Sequence, residues 1–81
     1  IGRACVRRLK AMAFSDIKAH RFWLDVKSLN QRAQALYASE GFVEEGRLRE
    51  SVRAGDGYDS LIVMSMLDRE HDARVALGLE N

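Results

Sequence analysis

One hydroxyl group in this chain stands out as a group that could do chemistry. The segment Asn30–Phe42 reads as a short helix, its end signal and the start of a strand. Helical spacing puts the phenol of Tyr37 on the same inward face as Leu29, Ala33 and Leu36. A buried or half-buried tyrosine hydroxyl needs a hydrogen-bond partner. A thioester substrate could be that partner.

The elements that must position this phenol follow from hydrophobic periodicity. A first helix, from about Gly2 to Phe14, is predicted by four apolar residues on one face: Cys5, Leu9, Met12 and Ala13. The run His20–Val26, which from Phe22 onward is apolar apart from Asp25, predicts a strand that is covered on both faces. Ser28 and Asn30 are both candidate caps for the next helix, and Gly41 is its expected left-handed end.

The rest of the chain reads as a long hairpin and a final helix. Strands are predicted over Phe42–Ala54 and Tyr58–Leu67, and the Asp-Gly signal between them is typical of a tight turn. Gly46 is expected to mark a bulge in the first of these strands. The final helix is expected to be capped by Asp68 and to end at Gly78.

The resulting order is helix-strand-helix-strand-strand-helix, which is an α/β arrangement. We expect a mixed sheet whose C-terminal hairpin is antiparallel. The leading helix has no strand before it, although a βαβ unit buries its helix on two strands. Residues 1–81 are therefore expected to form one partial domain, the back half of a larger α/β domain.

The candidate groups also have purely structural interpretations. Spacing alone favours a core role for Tyr37, with its hydroxyl at the rim. Asn30 can serve as a helix cap and nothing more. Cys5, on an apolar face, is interpreted as inert packing. A solvated surface is the expected role of the basic residues of the first helix: Arg3, Arg7, Arg8 and Lys10.

Composition argues against several classes of function. Acidic and basic residues are interspersed and the net charge is +1, so nucleic acid has no electrostatic footprint here. No apolar run approaches the roughly 20 residues that span a bilayer. The single cysteine, Cys5, excludes an internal disulfide and favours a cytoplasmic location. Neither His20 nor His71 has metal-ligand spacing with it, so no metal site is expected.

Five motifs follow one another along residues 1–67. In chain order they are Ile1-Gly2-Arg3-Ala4, His20-Arg-Phe-Trp-Leu-Asp-Val26, Asn30-x-x-Ala-x-x-Leu-Tyr37-x-x-x-Gly41-Phe42, Glu45-Gly-x-Leu-Arg-Glu50 and Tyr58-x-Ser-Leu-x-Val-Met-Ser-Met-Leu67. Together they resemble the C-terminal half of a GNAT superfamily N-acetyltransferase, with the first motif similar to the tail of its pyrophosphate loop. Residues 68–81 lie beyond the resemblance and are expected to form a C-terminal tail with a helix.

The resemblance implies an enzyme that transfers acetyl from acetyl-CoA to an amine by direct attack, without a metal. Tyr37 matches the family's general acid, which contacts the cofactor and protonates the CoA thiolate. A tyrosine hydroxyl, with a reference pKa of about 10 against about 8.5 for a thiol, can donate that proton. Gly2, Arg3 and Asn30 match positions that bind CoA, and the start of a helix favours its phosphates. Arg49 and Tyr58 are weaker substrate candidates.

The sequence leaves the acceptor open. The resemblance implies a primary amine on a protein N-terminus, an amino acid, a polyamine or a small drug. The strands that carry the oxyanion donors and the general base in the family have no counterpart here, so the isolated chain is expected to be inactive. The alternative is a non-catalytic half-domain that self-associates, as a homodimer or by segment exchange, through its unpaired sheet edge.

Overall fold

The computed structural model describes residues 2–80 and has the element order that the sequence predicts. The helices and strands, in chain order, are α1 (Arg3–Ala11), a π-helical turn (Met12–Asp16), β1 (Arg21–Lys27), α2 (Gln31–Ser39), β2 (Val43–Ala54), β3 (Gly57–Leu67) and α3 (Asp68–Ala76). No helix in this described range has the length and apolar character that crossing a membrane requires.

The three strands form one sheet in the order β1-β3-β2. Strand β3 pairs antiparallel with both neighbours, so β1 and β2 run in the same direction on either side of it. The expected mixed sheet is therefore wrong for residues 2–80, because the last strand inserts between two like-directed strands and leaves no parallel pair. The bulge predicted at Gly46 is confirmed by a register shift between Glu44 and Gly46.

Strand β1 has one buried face and one exposed face. Phe22, Leu24 and Val26 pack toward the core, whereas Trp23 is 56% exposed on the other side. The prediction that both faces are covered is wrong, because the residues that alternate with the packed ones stay in solvent. Within the described sheet β1 is also an edge strand, which leaves one side of its backbone without a partner strand.

The core lies between the sheet and the helices. Its buried apolar side chains are Val6, Val26, Tyr37, Phe42, Ile62, Met64 and Met66. Met64 and Met66 are core residues, as their pattern predicts, and Met66 is completely enclosed. The ring of Phe42 meets that of Phe22 edge-on, with centroids 5.5 Å apart. This contact fixes the end of α2 against β1.

Helix α1 packs through a different face from the predicted one. Cys5 is exposed, and Leu9 and Met12 are 38% and 42% exposed. Val6 and Lys10 are buried instead. The interpretation of Cys5 as inert packing is therefore wrong. Charged contacts to the end of α2 hold this helix in place, and sequence periodicity does not reveal them.

Helix α2 begins and ends where the sequence predicts. Asn30 is its N-cap, with Oδ1 accepting a hydrogen bond from the Ala33 amide at 3.1 Å. Gly41 has a φ of +95°, which ends the helix. The amide of Phe42 then donates to the carbonyl of Tyr37 at 3.0 Å. The segment that carries Tyr37 is thus fixed at both ends by local chemistry.

Helix α3 has Leu67 as its N-cap, so the predicted cap at Asp68 is wrong. The Glu70 carboxylate accepts from the Leu67 amide at 2.8 Å and satisfies the helix start. The Asp68 carboxylate is used otherwise, with Oδ2 3.2 Å from Nδ1 of His20. Gly78 has a φ of +74° and follows the last helical turn, as predicted.

The fold has no room for a side chain at Gly41. An added Cβ would lie 2.7 Å from Cδ of Arg74 and 2.9 Å from Cε of Met66. We expect Gly41→Ala to lower the free energy of unfolding by about 2–3 kcal/mol, through backbone strain and overpacking. The measurement is urea unfolding followed by circular dichroism.

Gly55→Ala is the matched control for this prediction. Gly55 also has a positive φ, +58°, but no atom lies within 4 Å of an added Cβ. Backbone strain alone then costs about 1 kcal/mol. Equal losses at the two glycines would contradict the steric part of the argument.

Candidate functional site

A cleft of about 1270 Å³ lies beside the C-terminal end of β1 and along α2. Val52 and Leu61 line it from the hairpin, and Arg3 reaches it from the start of α1. Because β1 is an edge strand of the described sheet, the cleft adjoins an edge that has no partner strand there. A long ligand could therefore contact a helix start, a strand edge and a helix face together.

Tyr37 lies on the inner face of α2, as its spacing predicts. The side chain is 7% exposed and belongs to the core cluster. Its ring is 5.9 Å, centroid to centroid, from that of Phe42. Within residues 2–80 the hydroxyl makes no hydrogen bond, and no described side-chain oxygen or nitrogen is both buried and unpartnered, so the hydroxyl oxygen is accessible. Because the residue lines the cleft, a ligand there could take the place of water as its partner.

Asn30 stands at the other end of α2 and also lines the cleft. The loop before it is held by Ser28, whose Oγ donates to Oδ1 of Asp59 at 2.5 Å. Ser28 is therefore bound to β3, and the alternative prediction that it caps α2 is wrong. The hydrogen bonds from Ser28 and from the Ser60 amide lower the pKa of Asp59, so its carboxylate stays ionised.

Gly2 and Arg3 form the start of α1. Gly2 is the N-cap in an extended conformation, with φ −93° and ψ 168°, and no side chain of the described residues caps this helix. Its first amide groups thus remain available to an anion. Ile1, which belongs to the same sequence motif, lies outside the described residues. Arg3 lines the cleft, and its Nη1 is paired with the carboxylate of Glu40.

The carboxylate of Glu40 is completely buried at the C-terminal end of α2. It pairs with Arg3, with Nε of Arg7 at 2.9 Å and with Nζ of Lys10 at 3.2 Å. Burial by itself raises the pKa of Glu40, but hydrogen bonds from these three cations outweigh it and lower the pKa to about 2. The interpretation of the basic stripe as a solvated face is therefore wrong for Lys10, which is completely buried, whereas Arg3 is exposed and Arg7 is partly exposed despite their ion pairs.

A second carboxylate extends this cluster. Oε2 of Glu80 lies 2.7 Å from Nζ of Lys10 and 2.6 Å from Nε of Arg74. Oε1 lies 3.7 Å from Nε2 of His71, whose ring stacks on Phe14 at 4.8 Å. Lys10 thus joins two buried carboxylates, which connects α1, α2 and the segment after α3.

Cations outnumber anions among the described residues that line the cleft. Arg3, Lys27 and Arg32 are cationic, and Asp25 is anionic. Lys27 and Arg32 were not among the candidates from the sequence, although both lie within three residues of Asn30. Proximity to that motif could have identified them. Such a cleft suits an anionic ligand such as a diphosphate.

Arg49 and Tyr58 do not join the other candidates. Both are exposed on the hairpin and neither lines the cleft. Tyr58 lies under the guanidinium of Arg53, with 5.5 Å from Cζ to the ring centroid. Arg49 belongs to a second register shift in β2, beside Glu50, which has a φ of +47°. The structure thus brings together Arg3, Asn30 and Tyr37, with Gly2 adjacent.

The described residues hold no group of three or more His, Cys, Asp or Glu side chains arranged to bind a metal ion.

Comparison with solved structures gives close matches to acetyltransferases. Mutant forms of the spermidine/spermine N-acetyltransferase SpeG from Vibrio cholerae match with 30% identity and a TM-score of 0.86, over 90% of this chain and 44% of that chain. A dodecameric structure of spermidine N-acetyltransferase from Vibrio cholerae in an intermediate state matches with the same identity and score, over 90% of this chain and 43% of that chain. A probable acetyltransferase matches with 27% identity and a TM-score of 0.77, over 83% and 37%.

This chain thus spans less than half the length of each of these three structures. No protein-family model matches the sequence.

Proposed function

Because this chain belongs to the GNAT superfamily of N-acetyltransferases, we propose that it forms the CoA-binding side of an acetyl-transfer site. The observation that carries this proposal is the meeting of Arg3, Asn30 and Tyr37 around one cleft. A cation, an amide and a phenol suit the diphosphate, the pantetheine and the thioester of acetyl-CoA, respectively. The excess of cations in the cleft agrees with the negative charge of this cosubstrate.

Bound acetyl-CoA would supply a thioester carbonyl that a primary amine attacks, with the CoA thiolate as the leaving group. In this proposal the Tyr37 hydroxyl donates its proton to the departing sulfur and so acts as general acid. Asn30 holds the pantetheine arm, while Gly2 and Arg3 hold the diphosphate at the start of α1. The proton that the attacking amine loses passes to a base outside these residues.

The acceptor that we propose is a primary amine, with polyamines as the first class to test. The relatives are spermidine N-acetyltransferases, and the chain spans less than half of their length. The hairpin residues Arg49 and Tyr58, which lie outside the cleft, are retained only as candidates for contacts with the acceptor.

Titration with CoA tests this proposal directly. We expect the 81-residue chain to bind CoA with one-to-one stoichiometry, measured by calorimetry or amide chemical shifts, because the cleft offers a cation, a helix start and a helix face. We also expect no acetyl transfer to spermidine, since the chain spans less than half the length of the acetyltransferases that it matches. Absence of saturable binding would contradict the proposed cofactor site. Turnover at a normal enzymatic rate would contradict the proposal that this chain forms only the CoA-binding side of the active site.

A second candidate function, self-association, is favoured by the exposed surfaces of α1 and β1. Cys5, Leu9 and Met12 form an uncovered apolar face, and β1 has an open edge in the described sheet. Such surfaces favour pairing between copies. We expect sedimentation equilibrium to show a dimer whose fraction rises with concentration and falls in Leu9→Glu. A strict monomer at every concentration would contradict this candidate.

A further inference from the structure

We infer that Glu40 is a positioning residue, which sets the distance between the diphosphate site at the start of α1 and the phenol of Tyr37 on α2. This inference rests on the proposed function, because it assumes that CoA lies in the cleft. Glu40 itself does not line the cleft. It acts through the position of helix α1, to which Arg3 belongs and which three ion pairs join to Glu40.

The geometry places Glu40 where the two halves of a CoA site meet. It follows Tyr37 by three residues at the end of α2, so the two side chains move with one helix. Its carboxylate pairs with Arg3, which lines the cleft at the start of α1. One buried group thus connects the helix that carries the proposed acid with the helix that carries the proposed phosphate site.

Charged contacts rather than apolar burial fix α1 on α2. Val6 is the buried apolar residue of α1, whereas Leu9 is substantially exposed. Arg7 contacts Glu40 through Nε at 2.9 Å and through Nη2 at 3.3 Å. Lys10 binds both the Glu40 carboxylate, at 3.2 Å, and the Glu40 backbone carbonyl, at 2.9 Å. Loss of this carboxylate would therefore allow α1 to shift relative to α2.

Because CoA is long enough to contact both sites, its affinity reports the distance between the diphosphate site and the phenol of Tyr37. A ligand that contacts two sites at once gains affinity only if their separation matches its own length, whereas a fragment that contacts one site does not sense the separation. ADP carries the diphosphate without the pantetheine, and pantetheine carries the thiol arm without the diphosphate. The affinities for the three ligands therefore distinguish a changed distance between the two sites from the loss of either site.

The experiment compares Glu40→Gln with the wild-type chain, using calorimetry or amide chemical shifts at neutral pH. We expect the affinity for CoA to fall about tenfold or more, in the range of coupling between sites. The affinities for ADP and for pantetheine are expected to change less than twofold. Glu44→Gln is the matched control, since it removes the same charge from an exposed position on β2, and it should bind all three ligands like the wild type.

Arg7→Gln is the second variant, because the loss of a buried charge could unfold Glu40→Gln. Arg7 is only partly buried, and Arg8→Gln, at an exposed position of the same helix, is its control. Arg7→Gln should reproduce the selective loss for CoA. Equal CoA affinity in the wild type and in a folded variant would overturn the positioning role alone.

A parallel loss for all three ligands would also overturn it, since partial unfolding weakens every ligand alike. A wild-type chain that binds none of the three ligands would overturn the proposed function, and the positioning role with it.

Discussion

Replacing Tyr37 with phenylalanine is expected to lower the rate of acetyl transfer about 100-fold, the lower end of the range for general acid–base catalysis. Because the chain is expected to be inactive alone, the assay uses a chimera in which it replaces the matching 44% of the Vibrio cholerae spermidine/spermine N-acetyltransferase. Phenylalanine keeps the packing of the ring against Phe42. It removes only the hydroxyl, which has no protein partner within residues 2–80.

The affinity for CoA is the control for this prediction. If Tyr37 acts as an acid, the substitution should change the dissociation constant of CoA less than about twofold while kcat falls. A loss of affinity with an unchanged kcat would instead indicate a binding role. An unchanged rate would remove Tyr37 from the mechanism, because a residue that donates the required proton cannot be dispensable.

The residues that sequence analysis placed correctly are those whose role is set by near neighbours along the chain. Asn30 caps α2 because its side chain reaches an amide three residues later. Gly41 ends the helix because it can adopt a positive φ. The tight turn predicted between β2 and β3 is confirmed, but its two residues are Gly55 and Asp56, and Gly55 supplies the positive φ. Since Tyr37 sits between these signals, its inward position could also be predicted.

The features that were predicted wrongly depend on partners far away in sequence. The basic stripe of α1 reads as a solvated face because Glu40 lies more than 30 residues beyond most of it. No periodicity shows that a carboxylate at the end of another helix will be buried there. The position of Trp23 on an exposed face likewise depends on which side of the sheet the helices cover.

The positive charge of the cleft is also a feature that the fold creates and that local sequence signals do not reveal. Nothing in the sequence distinguishes Lys27 and Arg32 from the other cations of the chain. Only the folded arrangement of α2 and β1 places them around one opening with Arg3. Family resemblance selected Arg3, Asn30 and Tyr37, and the fold brings these three together. The same resemblance also selected Arg49 and Tyr58, which the hairpin carries away from the cleft.

Acid is expected to remove a large part of the stability of this chain between pH 4.5 and pH 2, through Glu40. Hydrogen bonds from Arg7, Arg3 and Lys10 prevail over the effect of burial and lower the pKa of this carboxyl from 4.5 to about 2. Its contribution is therefore fully present above pH 4.5 and is lost as the pH falls through about 2. The difference corresponds to about 3 kcal/mol, a large share of the roughly 5–15 kcal/mol typical of folded proteins.

Urea unfolding of the wild type and of Glu40→Gln across this pH range isolates that contribution. Glu80 also has a lowered pKa, so the wild-type curve alone cannot assign the loss to one group. At neutral pH the variant is expected to be about 3 kcal/mol less stable, because its buried cations lose their partner. Near pH 2 the two proteins should approach the same stability, since the wild-type carboxyl is then becoming neutral as well.

Glu44→Gln, at an exposed position, should follow the wild type at every pH in these measurements. A stability difference between the wild type and Glu40→Gln that stays constant from neutral pH to pH 2 would mean that shape, not charge, accounts for the role of Glu40. The positioning of α1 would then rest on packing alone. Convergence at low pH would instead show that ion pairs hold α1 on α2. The proposed distance between the diphosphate site and the phenol of Tyr37 depends on these contacts.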